Sequence, residues 1–169
     1  PISQADAKYK RYIGNGAPKH FLSWSNNLTW RNFDLSVFFR GTFGFDVFNM
    51  RKYGMGLQGC GTDNVLRSAY LEDKNIRTGG GVISSYFLED GSFIKLENVT
   101  LGYNFTPKNR KLLDNMRIYL SAKNLFTLTG YSGNDPSIID VNGIQPGVDS
   151  NSAYPTATQL SLGVTLRFK

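Results

Sequence analysis

The sequence predicts an all-β fold of about five long antiparallel strands, and three observations carry that expectation. Apolar and polar residues alternate with period two, the alternating runs outlast ordinary strands, and the connections between runs alternate short and long. The longest run is 33–47. Its odd positions are Phe33, Leu35, Val37, Phe39, Gly41, Phe43, Phe45 and Val47, against Asp34, Ser36, Phe38, Arg40, Thr42, Gly44 and Asp46. One face is apolar or glycine and the other mostly polar, whereas strands of globular domains run about five or six residues.

Taken in order, the first strand falls near 20–30. Leu22, Trp24, Leu28 and Trp30 oppose Ser23, Ser25, Asn27 and Thr29, and Asn26 breaks the apolar side. Arg31 and Asn32 form a two-residue turn into the second strand, 33–48. A long connection, 49–91, rich in Gly, Asn and Asp, leads to the third strand, 92–105. There the apolar phase changes from Ile94 and Leu96 to Val99, Leu101, Tyr103 and Phe105, which predicts a bulge at Glu97 and Asn98. A modest turn, 106–115, opening Thr-Pro, precedes the fourth strand, 116–128, with Met116, Ile118, Leu120, Ala122 and Phe126 on one side. A second long connection, 129–156, leads to the last strand, 157–168, with Leu160, Leu162, Val164, Leu166 and Phe168 on one side. In the 49–91 segment, Asp63 is placed to cap a short helix carrying Val65, Leu66, Ala69 and Tyr70.

Long structureless connections count against a compact domain. Their alternation with short ones is the signature of an outer-membrane β-barrel, with short periplasmic turns and long extracellular loops. Ten to twelve residues at ~3.3 Å each make roughly 33–40 Å of strand, which tilted by ~40° rises about 25–30 Å, the height of the apolar band. Aromatics gather at both ends of the strands: Trp30, Phe33, Phe105 and Phe168 at the short-turn edge, Phe43, Phe45 and Phe126 at the other. Five strands cannot close, because membrane barrels begin at about eight and an open edge in lipid leaves backbone groups unpaired. The expectation is therefore the C-terminal portion of a larger barrel, in keeping with a chain that starts at Pro1 rather than Met.

Composition narrows the alternatives. The 169 residues are 14% aromatic with 18 Gly, too aromatic for a disordered chain and unlike a coiled coil. No run of about 18 apolar residues marks a transmembrane helix. Net charge is +6, but apart from Lys8, Lys10 and Arg11 the cations are scattered among acids, so a nucleic-acid partner is not expected. A single cysteine, Cys60, flanked by Gly59 and Gly61, excludes an internal disulfide and a cysteine-based zinc site, and reads as a free loop thiol.

Residues 87–103 (FLEDGSFIKLENVTLGY) and 118–131 (IYLSAKNLFTLTGY) resemble segments of the SusC/RagA family of TonB-dependent outer-membrane transporters. So do 32–36 (NFDLS) and Tyr154-Pro155-Thr156 before the final alternating strand, and the resemblance runs from about Tyr12 to the end. It implies a 22-stranded barrel with an N-terminal plug absent from this chain. It also implies a SusD-like surface lipoprotein as lid, energy supplied through TonB, and import of oligosaccharides, or in some members of peptides. The segment Ser161-x-Gly163-x-x-Leu166-x-Phe168 resembles the β-signal read by the outer-membrane assembly machinery, with the departure that Lys169 follows the aromatic.

No catalytic, cofactor or metal site is expected. Gly54-x-Gly56-x-x-Gly59, with Asp73 beyond it, matches a dinucleotide fingerprint, but it follows an alternating strand instead of the buried strand of a βαβ unit. Asp135, Asp140, Asn142 and Asp149 lack calcium-loop spacing, and turn chemistry accounts for them. His20, the one histidine, has no Ser or Cys partner nearby, which leaves a barrel enzyme without support. The Asn-x-Thr sequons at Asn27, Asn98 and Asn104 fall within strands. Arg40, Arg117, Lys123 and Arg167 share the polar face with Asp34 and Asp46, a wall of mixed sign suited to neutral, hydroxyl-rich solutes. Tyrosines in the two long segments, Tyr53, Tyr70, Tyr86, Tyr131 and Tyr154, are candidate platforms for sugar rings. Tyr131, Tyr53 and Tyr154 are the substrate candidates, and Tyr131, after Gly130 at the exit of a strand, is the foremost. The competing architecture is a surface carbohydrate-binding β-sandwich, which would need a core between two sheets.

Overall fold

The computed structural model describes residues 11–56, 64–71, 83–107, 113–139, 144–150, 154 and 156–169. The chain divides into two units: residues 20–42, 93–129 and 156–169 form one, and residues 1–19, 43–92 and 130–155 the other.

The first unit is a five-stranded sheet. It contains β1 (His20–Trp30), β2 (Phe33–Phe43), β5 (Phe93–Phe105), β6 (Leu113–Thr129) and β8 (Gln159–Phe168), in the order β1-β2-β5-β6-β8. The turn between β1 and β2 is the two residues expected, with Arg31 at φ 54. Register converts the alternation of each strand into rows that cross the sheet. Phe33, Tyr103, Ile118 and Val164 make one row, then Leu35, Leu101, Leu120 and Leu162, then Val37, Val99, Ala122 and Leu160. Phe39, Leu96 and Phe126 follow, then Gly41, Ile94 and Leu128. Five such rows, each two residues from the next, span roughly 26 Å of strand. Leu160 and Leu162 are 70% and 75% exposed, and so much contiguous apolar surface calls for an apolar partner. Among the described residues no helix is long and apolar enough to cross a membrane, which says nothing of crossing by strands.

The bulge expected at Glu97 and Asn98 is present, and it is larger than the sequence indicates. One step on β2, Phe38 to Phe39, is matched by two on β5, Asn98 to Leu96, and by three on β6, Lys123 to Phe126. Asn124 takes the strain at φ 52, a left-handed conformation that Asn tolerates. It is tied to the chain before β8: its Nδ2 donates to the Ala157 carbonyl at 3.3 Å, and its own carbonyl accepts from Thr158 Oγ1 at 2.9 Å. The extra residues keep Leu96 and Val99 on the apolar face although three positions separate them.

The second unit holds β3 (Asp46–Asn49), β4 (Leu88–Asp90) and β7 (Val148–Asp149), with β3 central, antiparallel to β4 and parallel to β7. Its described residues also form two short helices, α1 (Met50–Met55) and α2 (Ser68–Leu71), and 3-10 turns at Ser85–Phe87 and Pro136–Ile138. Its core is Phe45, Val47, Ala69, Phe87, Tyr131 and Ile139.

Two boundaries correct the sequence reading. The strand expected over 33–48 ends at Phe43; Gly44 turns the chain at φ 74, and 46–49 joins another sheet. Phe45 is therefore buried core and not part of an aromatic girdle. The aromatic layer near that end of the sheet is Trp24, Phe39 and Phe126, with ring centres 5.6 and 6.5 Å apart. Finally, β6 starts three residues earlier than expected, at Leu113, which pairs with Phe168. Of the helix expected after Asp63, only the turn α2 forms, carrying Ala69 and Tyr70 and starting at Ser68, so Val65 and Leu66 precede it; Asp63 itself lies outside the described residues.

Candidate functional site

On the polar face of the sheet the charges are paired across strands. Asp34 of β2 accepts from Arg117 Nε at 3.1 Å and Nη2, and from Asn104 Nδ2 at 2.8 Å. Arg40 Nε donates to Glu97 Oε2 at 3.0 Å, so the bulge supplies the partner for that arginine. Arg167 lies 4.0 Å from Asp114, and Lys95, buried, donates from Nζ to Thr156 Oγ1 at 3.2 Å. Thr100 donates to Ser121 and Ser121 to Asn98, at 3.1 and 3.4 Å. Lys123 is exposed opposite Gln159. Asp46 leaves the expected set altogether: it sits on β3, where its carboxylate accepts from the Asn15 amide at 2.9 Å. A wall on which most ions are matched offers hydrogen-bonding surface with little net field.

The same face explains Gly163. It lies opposite Tyr119, and a Cβ added to it would run into the Tyr119 ring, over whose other neighbour, Arg117, the guanidinium carbon sits 5.1 Å from the ring centre. Asp34, Arg117, Tyr119 and Gly163 thus form one chain of contacts across four strands. Of the other residues read as an assembly signal, Ser161 faces Ser121, Leu166 faces Met116, and Phe168 is exposed opposite Leu113 on the edge strand β8.

In the second unit the substrate candidates fall out differently from the expectation. Tyr131 is only 6% exposed, and its hydroxyl donates to Asp149 Oδ2 at 2.6 Å. Burial, and then the hydrogen bond to Asp149, pushes this phenol well above its ordinary pKa. A ring so enclosed has no face to offer a sugar: Tyr131 is a brace, which corrects the choice of it as the foremost platform. Tyr53 packs edge-on to Phe87, with centres 5.2 Å apart, and beside Phe48 at 5.9 Å, and so is also mostly committed to packing. Tyr154 is 88% exposed, and Tyr70 is exposed too.

Glu89, which the sequence did not single out, organises this unit. Its carboxylate accepts from the Ser132 amide and hydroxyl, each at 2.8 Å, and from Asn49 Nδ2 at 3.3 Å, and it lies 3.6 Å from Lys52 Nζ. Asn49 in turn caps α1 by accepting from the Lys52 amide at 2.8 Å. The acidic loop residues have turn duties: Asp135 accepts from the Ser137 amide at 2.8 Å at the start of a 3-10 turn, and Asp149 holds Tyr131. Asp140 and Asn142 lie outside the described residues, as do Cys60 and Gly59. Among the described residues no group of three potential metal ligands forms. Gly54 lies within α1 and Gly56 ends it, a setting without the strand–turn–helix of a dinucleotide site.

No family model matches the chain. It is 28% identical over 188 residues to the TonB-dependent receptor P3 of Formosa agariphila, covering 99% of this chain and 18% of that protein. It is 28% identical over 153 residues to the TonB-dependent receptor SusC of Bacteroides thetaiotaomicron, covering 85% of this chain and 14% of that protein. Among solved structures, it matches the RagAB peptide importer in its closed-closed state with a TM-score of 0.77 at 25% identity, over 97% of this chain and 19% of the other. In sequence and in fold the chain is similar to SusC/RagA-type TonB-dependent proteins. It spans less than a fifth of the length of these relatives. Within this chain the five strands form an open sheet, with the apolar rows on one face and the paired charges on the other.

Proposed function

We propose that this chain is the C-terminal part of the 22-stranded barrel of an outer-membrane importer that takes up oligosaccharides, with a SusD-like lipoprotein as lid and energy supplied through TonB. The observation that carries this reading is the sheet itself: five apolar rows for lipid on one face, and a charge-matched polar face on the other. The plug-bearing part of the protein, which contacts TonB, lies beyond this segment, and so do the strands that pair with β1 and β8. The segments 49–91 and 129–156 both leave the sheet at the end where Phe93 pairs with Thr129, and we place that end outside the cell. They would then line the mouth, with exposed Tyr154 as the remaining aromatic platform. The charge-matched wall favours a solute without strong net charge along the passage. The chemistry is passage, not catalysis. A second reading, import of peptides, is favoured by the likeness to a structure described as a peptide importer.

Deleting the gene for the whole transporter and restoring it tests both readings. Growth on one or more oligosaccharides should be lost and regained, with growth on the constituent monosaccharide intact. Loss confined to peptides would replace the first reading with the second, and no loss on either would refute both. For topology, Ile144, fully exposed, is changed to Cys in a Cys60→Ser background. An impermeant maleimide should label it in intact cells; labelling only after lysis would overturn the extracellular placement.

A further inference from the structure

A cavity of about 340 Å³ opens in the second unit, lined among the described residues by Asn49, Arg51, Lys52, Arg67, Ser68 and Ser132, with Leu66. Three of these side chains are cations, and among the described residues the carboxylate of Glu89 stands against one of them, Lys52, at 3.6 Å. That carboxylate is already engaged by Ser132 and Asn49 as well as by Lys52. Arg51 is oriented by a bond from Nη1 to Asn134 Oδ1 at 2.8 Å, which leaves its other N–H groups available. Among the described residues the guanidinium of Arg67 forms no ion pair. Lys52 Nζ sits 4.3 Å from the centre of the Tyr86 ring and covers the face that a sugar would need. Among the described residues the cavity therefore presents two arginine forks, hydroxyls and an amide, and more cations than acids.

We infer that this cavity binds a carboxylate carried by the imported oligomer. A guanidinium matches a carboxylate in plane and spacing with two parallel hydrogen bonds, and walls of one sign concentrate the opposite charge within them. A neutral sugar would leave the arginine donors without a charged partner, and among the described residues the lining has no aromatic ring. The inference rests on the importer reading and adds to it a basic recognition point for the imported oligomer. The carboxylate is either a uronate of an acidic glycan or the free C-terminus of a peptide, and the test separates the two.

The full-length transporter is purified in detergent and titrated with four probes: trigalacturonate, its trimethyl ester, tetra-alanine and tetra-alanine amide. The member of one pair that carries free carboxylates should bind at least tenfold more tightly than its esterified or amidated partner, less so as salt rises. Which pair discriminates names the source. In Arg67→Gln and in Arg51→Gln that ratio should fall at least fivefold, with the affinity of the esterified or amidated member unchanged and heat-modifiable migration normal. Affinities within twofold in both pairs, discrimination that survives in the double variant, or no binding of any probe would overturn the site. Growth on neutral oligomers judges the importer reading separately.

Discussion

Replacing Val37 by arginine probes which face of the sheet meets lipid. Val37 lies in the middle of the five apolar rows, with the Phe33 and Leu35 rows on one side and the Phe39 and Gly41 rows on the other. Two rows are four residues, roughly 13 Å of strand, or about 10 Å of height at a tilt of ~40°. An arginine there cannot reach either interface without bending its stem against Val99 and Ala122, its neighbours in the row. A cation at the midplane of a lipid-facing strand costs about 2–4 kcal/mol, which is roughly a 30- to 900-fold shift in the folding equilibrium. Ser36 is the control: it is adjacent in sequence but in the row of Thr100, Ser121 and Ser161 on the polar face, and arginine there should cost less than about 1 kcal/mol. The assay is reversible denaturant unfolding of the full barrel in phospholipid vesicles, with Val37→Leu to separate charge from size. Equal losses for Val37→Arg and Ser36→Arg would show that the faces have been assigned wrongly.

Gly163→Val should destabilise the barrel by about 1–3 kcal/mol because the new side chain meets the Tyr119 ring, and the further change Tyr119→Ala should recover most of that loss. A folding-yield defect that Tyr119→Ala leaves untouched would mean that Gly163 acts through the assembly machinery instead. Tyr131→Phe removes the hydroxyl bonded to Asp149 and should cost about 1 kcal/mol, read as faster proteolysis of the loops, with uptake unchanged. The raised pKa of Tyr131 means the folded state holds its proton more tightly than the unfolded one. Loop stability should therefore be complete below the ordinary tyrosine value of about 10 and decline as pH rises past it, which protease sensitivity across that range reads directly. Tyr154→Ala should lower uptake of the imported oligomer several-fold with barrel abundance unchanged; unchanged uptake would remove the last exposed candidate of the three tyrosines.

Much of the sheet is legible along the chain because period-two alternation is a local property. Which side of a strand is apolar depends only on neighbouring residues, and so do the turn at Arg31 and Asn32 and the phase change at Glu97. The same locality limits it. Alternation through Gly44 to Val47 reads alike whether those residues continue a lipid-facing strand or enter the core of a small sheet, and the turn at Gly44 sends them to the second. Pairing partners lie far along the chain: Arg117 is 83 residues from Asp34, and Arg40 is 57 from Glu97. Only the register of three strands brings them together. Tyr131 shows the difference most sharply. Its place after Gly130 at a strand exit suits a residue open to solvent, yet an acid 18 residues on takes its hydroxyl and the unit closes over its ring. Side-chain direction is set by the residue next door, whereas burial is set by whatever the fold brings opposite.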